Sequence, residues 1–270
     1  MAQTGSLRPT QVVTQQQQRR VKAVFFDFMG TCLDWHSSVI STLPQAIPES
    51  VRSAMALDWR QEFFDELHAR SRQGVAPEDI DVTHRRTLLR ILEREPYKDH
   101  RHCFFVQGLP EDSDVRESPT VDEVVGSWHS MAAWPDVLPA LLALKRDLGL
   151  ELFVLANGTT RLQLDLVKSS GLGEAFDMLF SSELLGVYKP APESYNKALD
   201  LVRVEPESAV MVAAHAYDTR AARALGFKTV YVYRWTDDRN ENMELVKREN
   251  DYFLGEGGMR DLFRAIKSLS

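Results

Sequence analysis

Four short runs in this chain have a continuous apolar centre and then stop on polar residues: "VKAVFFD", "LELFVLAN", "SAVMVAAH" and "KTVYVYR". A strand with one wet face alternates apolar and polar side chains. A strand that is apolar throughout needs cover on both faces, which is the situation of a parallel sheet between layers of helix. The segments between these runs supply the cover. Helical spacing spans 136–148, 159–170 (stopped by Gly171), 192–202 and 217–225 (stopped by Gly226), and a further short strand is expected at 176–181. Repeated strand–helix alternation defines an α/β fold with a Rossmann-like parallel sheet.

The alternation is broken once. After the first strand, Val21–Asp27, and the Gly30-Thr31 turn, about a hundred residues carry helical spacing and no strand signal. "ALDWRQEFFDELHARSRQ" places Leu57, Phe63, Phe64 and Leu67 at helical intervals. "DIDVTHRRTLLRILERE" opens with a cap expected at Asp81 or Thr83, and "SPTVDEVVGSWHSMAAW" with Ser118 as N-cap before Pro119. The reading is therefore a core built from 21–34 and 135–270, a helical cap domain inserted at 35–134, and a Gln-rich, disordered tail at 1–20.

A length of 270 residues with 44% hydrophobic content is enough for such a core and a second lobe. The net charge of −7 offers no broad positive field, so neither nucleic acid nor an anionic membrane surface is an expected partner. No run is long enough to span a bilayer, and the first residues lack the apolar stretch of a secretory signal. Two cysteines, Cys32 and Cys103, argue against a disulfide-built fold and for a reducing, cytoplasmic setting. Cys32 is read as a small buried residue, and "HRHC" at 100–103 as surface loop, since no second ligand cluster accompanies it.

In open parallel sheets, ligands bind at the carboxyl ends of the strands. In order, those ends carry Asp27 and Thr31, then Asn157-Gly158-Thr159, then Lys189 after the third strand and His215 to Asp218 after the fourth. A bare carboxylate at the tip of a buried strand is costly without a partner. Lys189 is the candidate cation that keeps Asp27 ionised, Asp218 the candidate that holds the lysine, and Thr31 and Asn157 candidate hydrogen-bonding groups around them.

These motifs in this order (Asp-x-x-Gly-Thr, a strand ending at Asn-Gly, Lys-Pro, a final acidic motif, with a helical insert after the first strand) resemble the haloacid dehalogenase superfamily over residues 21 to 270. The resemblance implies an enzyme with Asp27 as nucleophile. Members of the phosphatase branch carry a second aspartate two positions after the first and further carboxylates before the last one. Met29 and Ala214 occupy those positions here, so a Mg²⁺ site and a phosphatase are disfavoured and neither metal nor cofactor is expected. The L-2-haloacid dehalogenase branch is more similar. "WRQ" on the first cap helix gives Trp59 and Arg60, with Arg60 implied as receiver of the halide or of the substrate's negative end. "VYKPAPESY" gives Lys189 and Tyr195, and "AHAYD" gives His215 and Asp218. The candidate set is thus Asp27, Lys189, Asp218 and His215 for chemistry, and Thr31, Arg60, Asn157, Tyr195, Met29 and Trp59 for substrate.

Two departures from that branch stand out: Ala156 replaces the usual serine before Asn-Gly, and Ala213 and His215 replace the usual serine and asparagine near the hydrolytic water. They leave several functions open. The simplest is hydrolytic dehalogenation of a small 2-haloacid through an Asp27 ester. The second is non-hydrolytic isomerisation or rearrangement of an epoxide or related carbon electrophile, as in fungal secondary metabolism, with His215 as acid or base. A phosphatase and a catalytically silent binding protein complete the set. The aromatic residues of the insert would suit a larger apolar substrate, and the family resemblance leaves room for a homodimer.

Overall fold

The computed structural model describes residues 20–73, 75, 78–105 and 119–270. All but the last residue of the expected tail at 1–20, the Ser118 cap and most of the excursion before it lie outside the described residues. In chain order the elements are β1 (Ala23–Phe26), α1 (Trp35–Thr42), α2 (Glu49–Arg72), α3 (Ile80–Ile91), α4 (Pro119–Gly126), α5 (Val137–Leu148), β2 (Glu151–Ala156), α6 (Thr160–Ser169), β3 (Met178–Ser181), α7 (Ser182–Leu185), α8 (Pro192–Val202), β4 (Ala209–Ala213), α9 (Ala216–Ala224), β5 (Lys228–Val232), α10 (Met243–Glu249), β6 (Tyr252–Leu254) and α11 (Leu262–Leu269). Short 3₁₀ turns fill several connections, one of them Lys98–Phe104, which carries "HRHC".

The six strands form one parallel sheet in the order β3-β2-β1-β4-β5-β6. Succession runs one way from β1 to β3 and the other way from β4 to β6, so the topological switch point falls between β1 and β4. Both strands are buried at every residue, as continuous apolar runs demand. Side chains alternate between two packed layers. Val24, Phe26, Val210 and Val212 join one apolar cluster, and Ala23, Phe25, Ala209 and Met211 join the other, which includes Tyr195, Ala198 and Leu199 of α8.

The larger cluster does not stop at the sheet. It continues into the helical insert through Trp35, Val39, Met55, Trp59, Leu88, Ile91 and Trp128, all buried. The Trp35 and Trp128 rings stack at 5.9 Å, and Trp59 meets Trp128 edge-on at 5.2 Å. His84 lies flat between Phe63 and Trp128, 4.0 Å from each, and burial pushes its imidazole well below its usual value, so it is neutral. The tryptophans of the insert are thus mostly core. The sequence-based cap of α3 is corrected: Asp79 is the N-cap, and its carboxylate accepts the Asp81 amide hydrogen bond.

Candidate active site

Asp27 follows the last residue of β1 and is 5% exposed. Its Oδ1 accepts a hydrogen bond from Lys189 Nζ at 2.9 Å. Its Oδ2 accepts one from Thr31 Oγ1 at 2.6 Å and lies 3.0 Å from His215 Nδ1. Burial alone would raise the Asp27 carboxyl. Lys189 and His215 outweigh it and hold the group well below the ordinary carboxylate range. At neutral pH Asp27 is a carboxylate. Among the described residues Oδ1 has one donor, which leaves a lone pair for a reacting carbon.

Lys189 is fixed from several directions. Its ammonium bridges Asp27 and Asp218. Asp218 is fully buried, and its other oxygen accepts from Tyr195 Oη at 2.5 Å. Asn157, at the end of β2, brackets the lysine backbone: its Oδ1 accepts from Lys189 N at 2.8 Å and its Nδ2 donates to Lys189 O at 3.0 Å. Among the described residues no group of three or more His, Cys, Asp or Glu is placed to hold a metal.

The turn after β1 positions the remaining donors. Gly30 has φ +88°, a conformation that favours glycine, and a Cβ there would lie 2.6 Å from an Asp237 carboxylate oxygen. Thr31 Oγ1 accepts from Ala214 N at 2.8 Å, which aims its one proton at Asp27. Cys32 Sγ sits 3.4 Å from the Asp27 carbonyl oxygen, fully buried, its thiol pushed up by burial and the Asp27 charge.

His215 caps α9 after β4 and bridges two carboxylates, Asp27 through Nδ1 and Asp237 through Nε2 at 3.2 Å. Burial opposes its charge, but Asp27 and Asp237 prevail and raise it well above its usual value, so the ring is an imidazolium. Asp237 is a component that the sequence reading missed. It follows β5, is 6% exposed, and also accepts from Thr236 Oγ1 at 2.7 Å and Trp35 Nε1 at 3.2 Å. "KTVYVYRWTDD" carried the signal, since it too is a strand that ends in polar residues.

Arg60 comes down from α2 and is 7% exposed, not on a wet helix face. Its guanidinium lies 4.5 Å from the Phe64 ring centroid and 5.3 and 5.4 Å from those of Trp35 and Trp128. One terminal nitrogen meets Met29 Sδ at 2.8 Å, while buried Nε has no partner among the described residues. Burial lowers its proton affinity, opposed by the charges of Asp237 and Asp27. A buried cation in an aromatic cradle with no carboxylate bonded to it keeps hydrogen-bonding capacity open toward the cavity.

Asp27, Met29, Arg60, Phe63, Phe64 and His215 wall a cavity of about 80 Å³ between sheet and insert. A second, larger cavity of about 500 Å³ adjoins it, sharing Arg60, Phe64, His215 and Tyr217 as walls and opening toward Asp237. Two sequence-based assignments change. Trp59 does not reach the cavity; it is fully buried in the insert, and its indole N–H donates to His84 O and Thr87 Oγ1. Tyr195 stands behind Asp218 and supports it instead of facing substrate. Asn157 lines the cavity while spending both side-chain polar atoms on Lys189.

A doubly wound parallel sheet with an ionised aspartate at its switch point, a bridging lysine and a helical cap over the site defines the class: a haloacid dehalogenase-like α/β enzyme. A profile of the haloacid dehalogenase-like hydrolases matches residues 21–226. The chain is 32% identical over 214 residues to (S)-2-haloacid dehalogenase 1 of Pseudomonas sp. (strain CBS-3), covering 79% of this chain and 85% of that one. It is 28% identical over 215 residues to the (S)-2-haloacid dehalogenase of Pseudomonas sp. (strain YL), covering 79% and 83%. A crystal structure of an L-2-haloacid dehalogenase superposes with TM-score 0.71 at 31% identity, over 92% of this chain and 99% of the other. The chain belongs to the haloacid dehalogenase-like hydrolases, on their L-2-haloacid dehalogenase branch. No helix among the described residues is long and apolar enough to cross a membrane.

Proposed function

We propose that the protein hydrolyses the carbon–halogen bond of a small 2-haloacid. Oδ1 of Asp27 attacks the carbon in line, halide leaves toward Arg60, and water hydrolyses the aspartyl ester. The observation that carries this reading is the pairing of an ionised, lysine-held Asp27 with an arginine that bonds no carboxylate, both walls of one small cavity. Substitution at saturated carbon needs a nucleophile that is anionic at working pH and an electrostatic receiver for the departing anion, and the two residues fit these roles. Lys189 bridges Asp27 and Asp218 and keeps Asp27 anionic, and Met29 cannot transfer a proton as the phosphatase aspartate does.

The test is halide release from (S)-2-chloropropionate and related 2-haloacids in metal-free buffer, wild type against Asp27→Asn. Turnover in ¹⁸O-labelled water over a single cycle would place the label in Asp27. No release from folded wild type would sink the reading. A non-hydrolytic reading draws on one observation, the imidazolium of His215 at the cavity wall, whose charge would favour opening of an epoxide there although its two N–H groups are held by Asp27 and Asp237. A product of unchanged mass, with no oxygen gained from water, would favour it.

A further inference from the structure

The hydrolytic step requires more than a nucleophile. Once Oδ1 is esterified, Oδ2 is the ester carbonyl oxygen and gathers negative charge when water adds to Cγ. In the structure the two donors on that atom come from different strand tips: Thr31 Oγ1 at 2.6 Å and His215 Nδ1 at 3.0 Å. The threonine hydroxyl is oriented by the Ala214 amide at 2.8 Å, and the imidazole is oriented by Asp237 at 3.2 Å.

We infer that Thr31 and His215 form an oxyanion hole for hydrolysis of the Asp27 ester, with Asp237 as the positioning residue that anchors the imidazole. This rests on the dehalogenase reading and specifies its second half. Water forms a new Cγ–O bond, and the carbonyl electron pair moves onto Oδ2, where Thr31 and His215 receive it. On collapse the Cγ–Oδ1 bond breaks, and its electron pair leaves with the product oxygen. That oxygen takes a proton from Lys189 Nζ, which bonds Oδ1 at 2.9 Å. Of the two protons of water, one restores Lys189 and the other passes to solvent, which matches RX + H₂O → ROH + X⁻ + H⁺. His215 here neither gains nor loses a proton. It must remain charged, and it faces a net-acidic set of groups: Asp27 at the β1 tip, Asp237 and Asp238 after β5 and Tyr217 on α9, against Arg60 from α2. Preorganised donors of this kind act where charge develops, and loss of one slows the step about 10²- to 10³-fold.

The two half-reactions respond oppositely to losing His215. Without the imidazolium, Asp27 is a more basic carboxylate, so alkylation is retained, while ester breakdown loses a donor. The experiment is rapid quench of the full-length protein with (S)-2-chloropropionate, following halide and the covalent adduct by intact-protein mass. Expected for His215→Ala and, independently, for Thr31→Val is a halide burst followed by a persistent adduct, with hydrolysis slowed about 100-fold. His215→Gln, which keeps an N–H donor, should recover part of that loss, and Thr31→Ser most of it. Asp237→Asn should move the alkaline limb of the hydrolysis rate to lower pH, since a lost carboxylate weakens the hold on the imidazolium. A merely structural Asp237 would lower the amplitude without moving the limb. The inference is overturned if His215→Ala and Thr31→Val hydrolyse ester as wild type does, or if burst and hydrolysis fall together with no adduct. If wild type forms neither halide nor adduct, the dehalogenase reading fails first, and the inference with it.

Discussion

Lys189→Met removes one ammonium and leaves two buried carboxylates facing each other. Asp27 and Asp218 bond the same Nζ, and the lysine side chain is 2% exposed. Breaking a buried ion pair by deleting one partner costs about 3–5 kcal/mol, because the partner's charge stays behind without compensation. With a urea m-value of about 2.5 kcal/mol/M, that lowers the unfolding midpoint by roughly 1–2 M. The sign of the pH dependence is the sharper test. In wild type, Asp27 is depressed, so its contribution is present above the unfolded value of about 3.9 and lost as pH falls. In the variant, Asp218 keeps only its Tyr195 bond. Burial already pushes this carboxyl upward with Lys189 in place, and the missing lysine pushes it further. A group raised in the folded state contributes stability below its unfolded value and loses it as pH rises. The variant should therefore regain stability on acidification from pH 8 toward pH 5, over the range where wild type gains nothing from Asp27. Urea unfolding at several pH values, read by tryptophan fluorescence, is the assay. A variant within about 1 kcal/mol of wild type at pH 7, or one with the wild-type slope, would refute the account of Lys189 as the neutralising cation.

Wild-type stability should itself decline above neutrality. His215 is raised, so its contribution is complete below about pH 6.5 and is lost as pH rises toward the folded value, with a slope near 1.4 kcal/mol per pH unit; His215→Gln should flatten that slope in the same unfolding series. Arg60→Lys keeps the charge but loses the planar group lying against Phe64, and kcat/KM for 2-haloacid should drop by roughly two orders of magnitude in steady-state halide assays, with a loss under threefold counting against Arg60 as anion receiver. Added chloride should raise the thermal midpoint of wild type, and not of Arg60→Ala, as expected for an anion that binds only the folded state. Prolonged chelation should leave halide release unchanged, whereas a fall reversed by Mg²⁺ would contradict the metal-free reading of the reaction.

Much of the architecture is legible in the residues. Continuous apolar strands announced a covered parallel sheet, and α8 occupies 192–202 as its spacing required. The tips of β1, β2 and β4 pointed to Asp27, Asn157 and His215 because a polar residue that ends a buried strand has few places to go. β6 escaped notice: it is three residues long and lies in the polar stretch "KRENDYFLGEG". Asp237 escaped for a different reason. Its role depends on the β5 loop folding back over β1, a contact between residues some two hundred positions apart that no local pattern encodes. Arg60, implied by the family resemblance, also carries a signal of its own. Met55, Ala56, Trp59, Arg60 and Phe63 recur at helical spacing, and an arginine on so apolar a stripe is either misplaced or functional. Trp59 and Tyr195 went the other way, because a motif fixes which residue is present and not which way its ring turns.

Gly30 and Asp237 bear on how such a site can change over time. A side chain at position 30 would occupy the space that the Asp237 carboxylate fills, 2.6 Å from the would-be Cβ. Neither position is free to vary alone: any larger residue at 30 evicts the carboxylate, and any larger residue at 237 strikes the turn that carries Thr31. A lineage that abandoned the histidine–aspartate pair could relax both constraints at once, and one that keeps it inherits the β1, β4 and β5 tips as a single unit. Divergence toward new substrates is then channelled away from the sheet and into the helical insert, where Phe63, Phe64 and Leu67 shape the cavity.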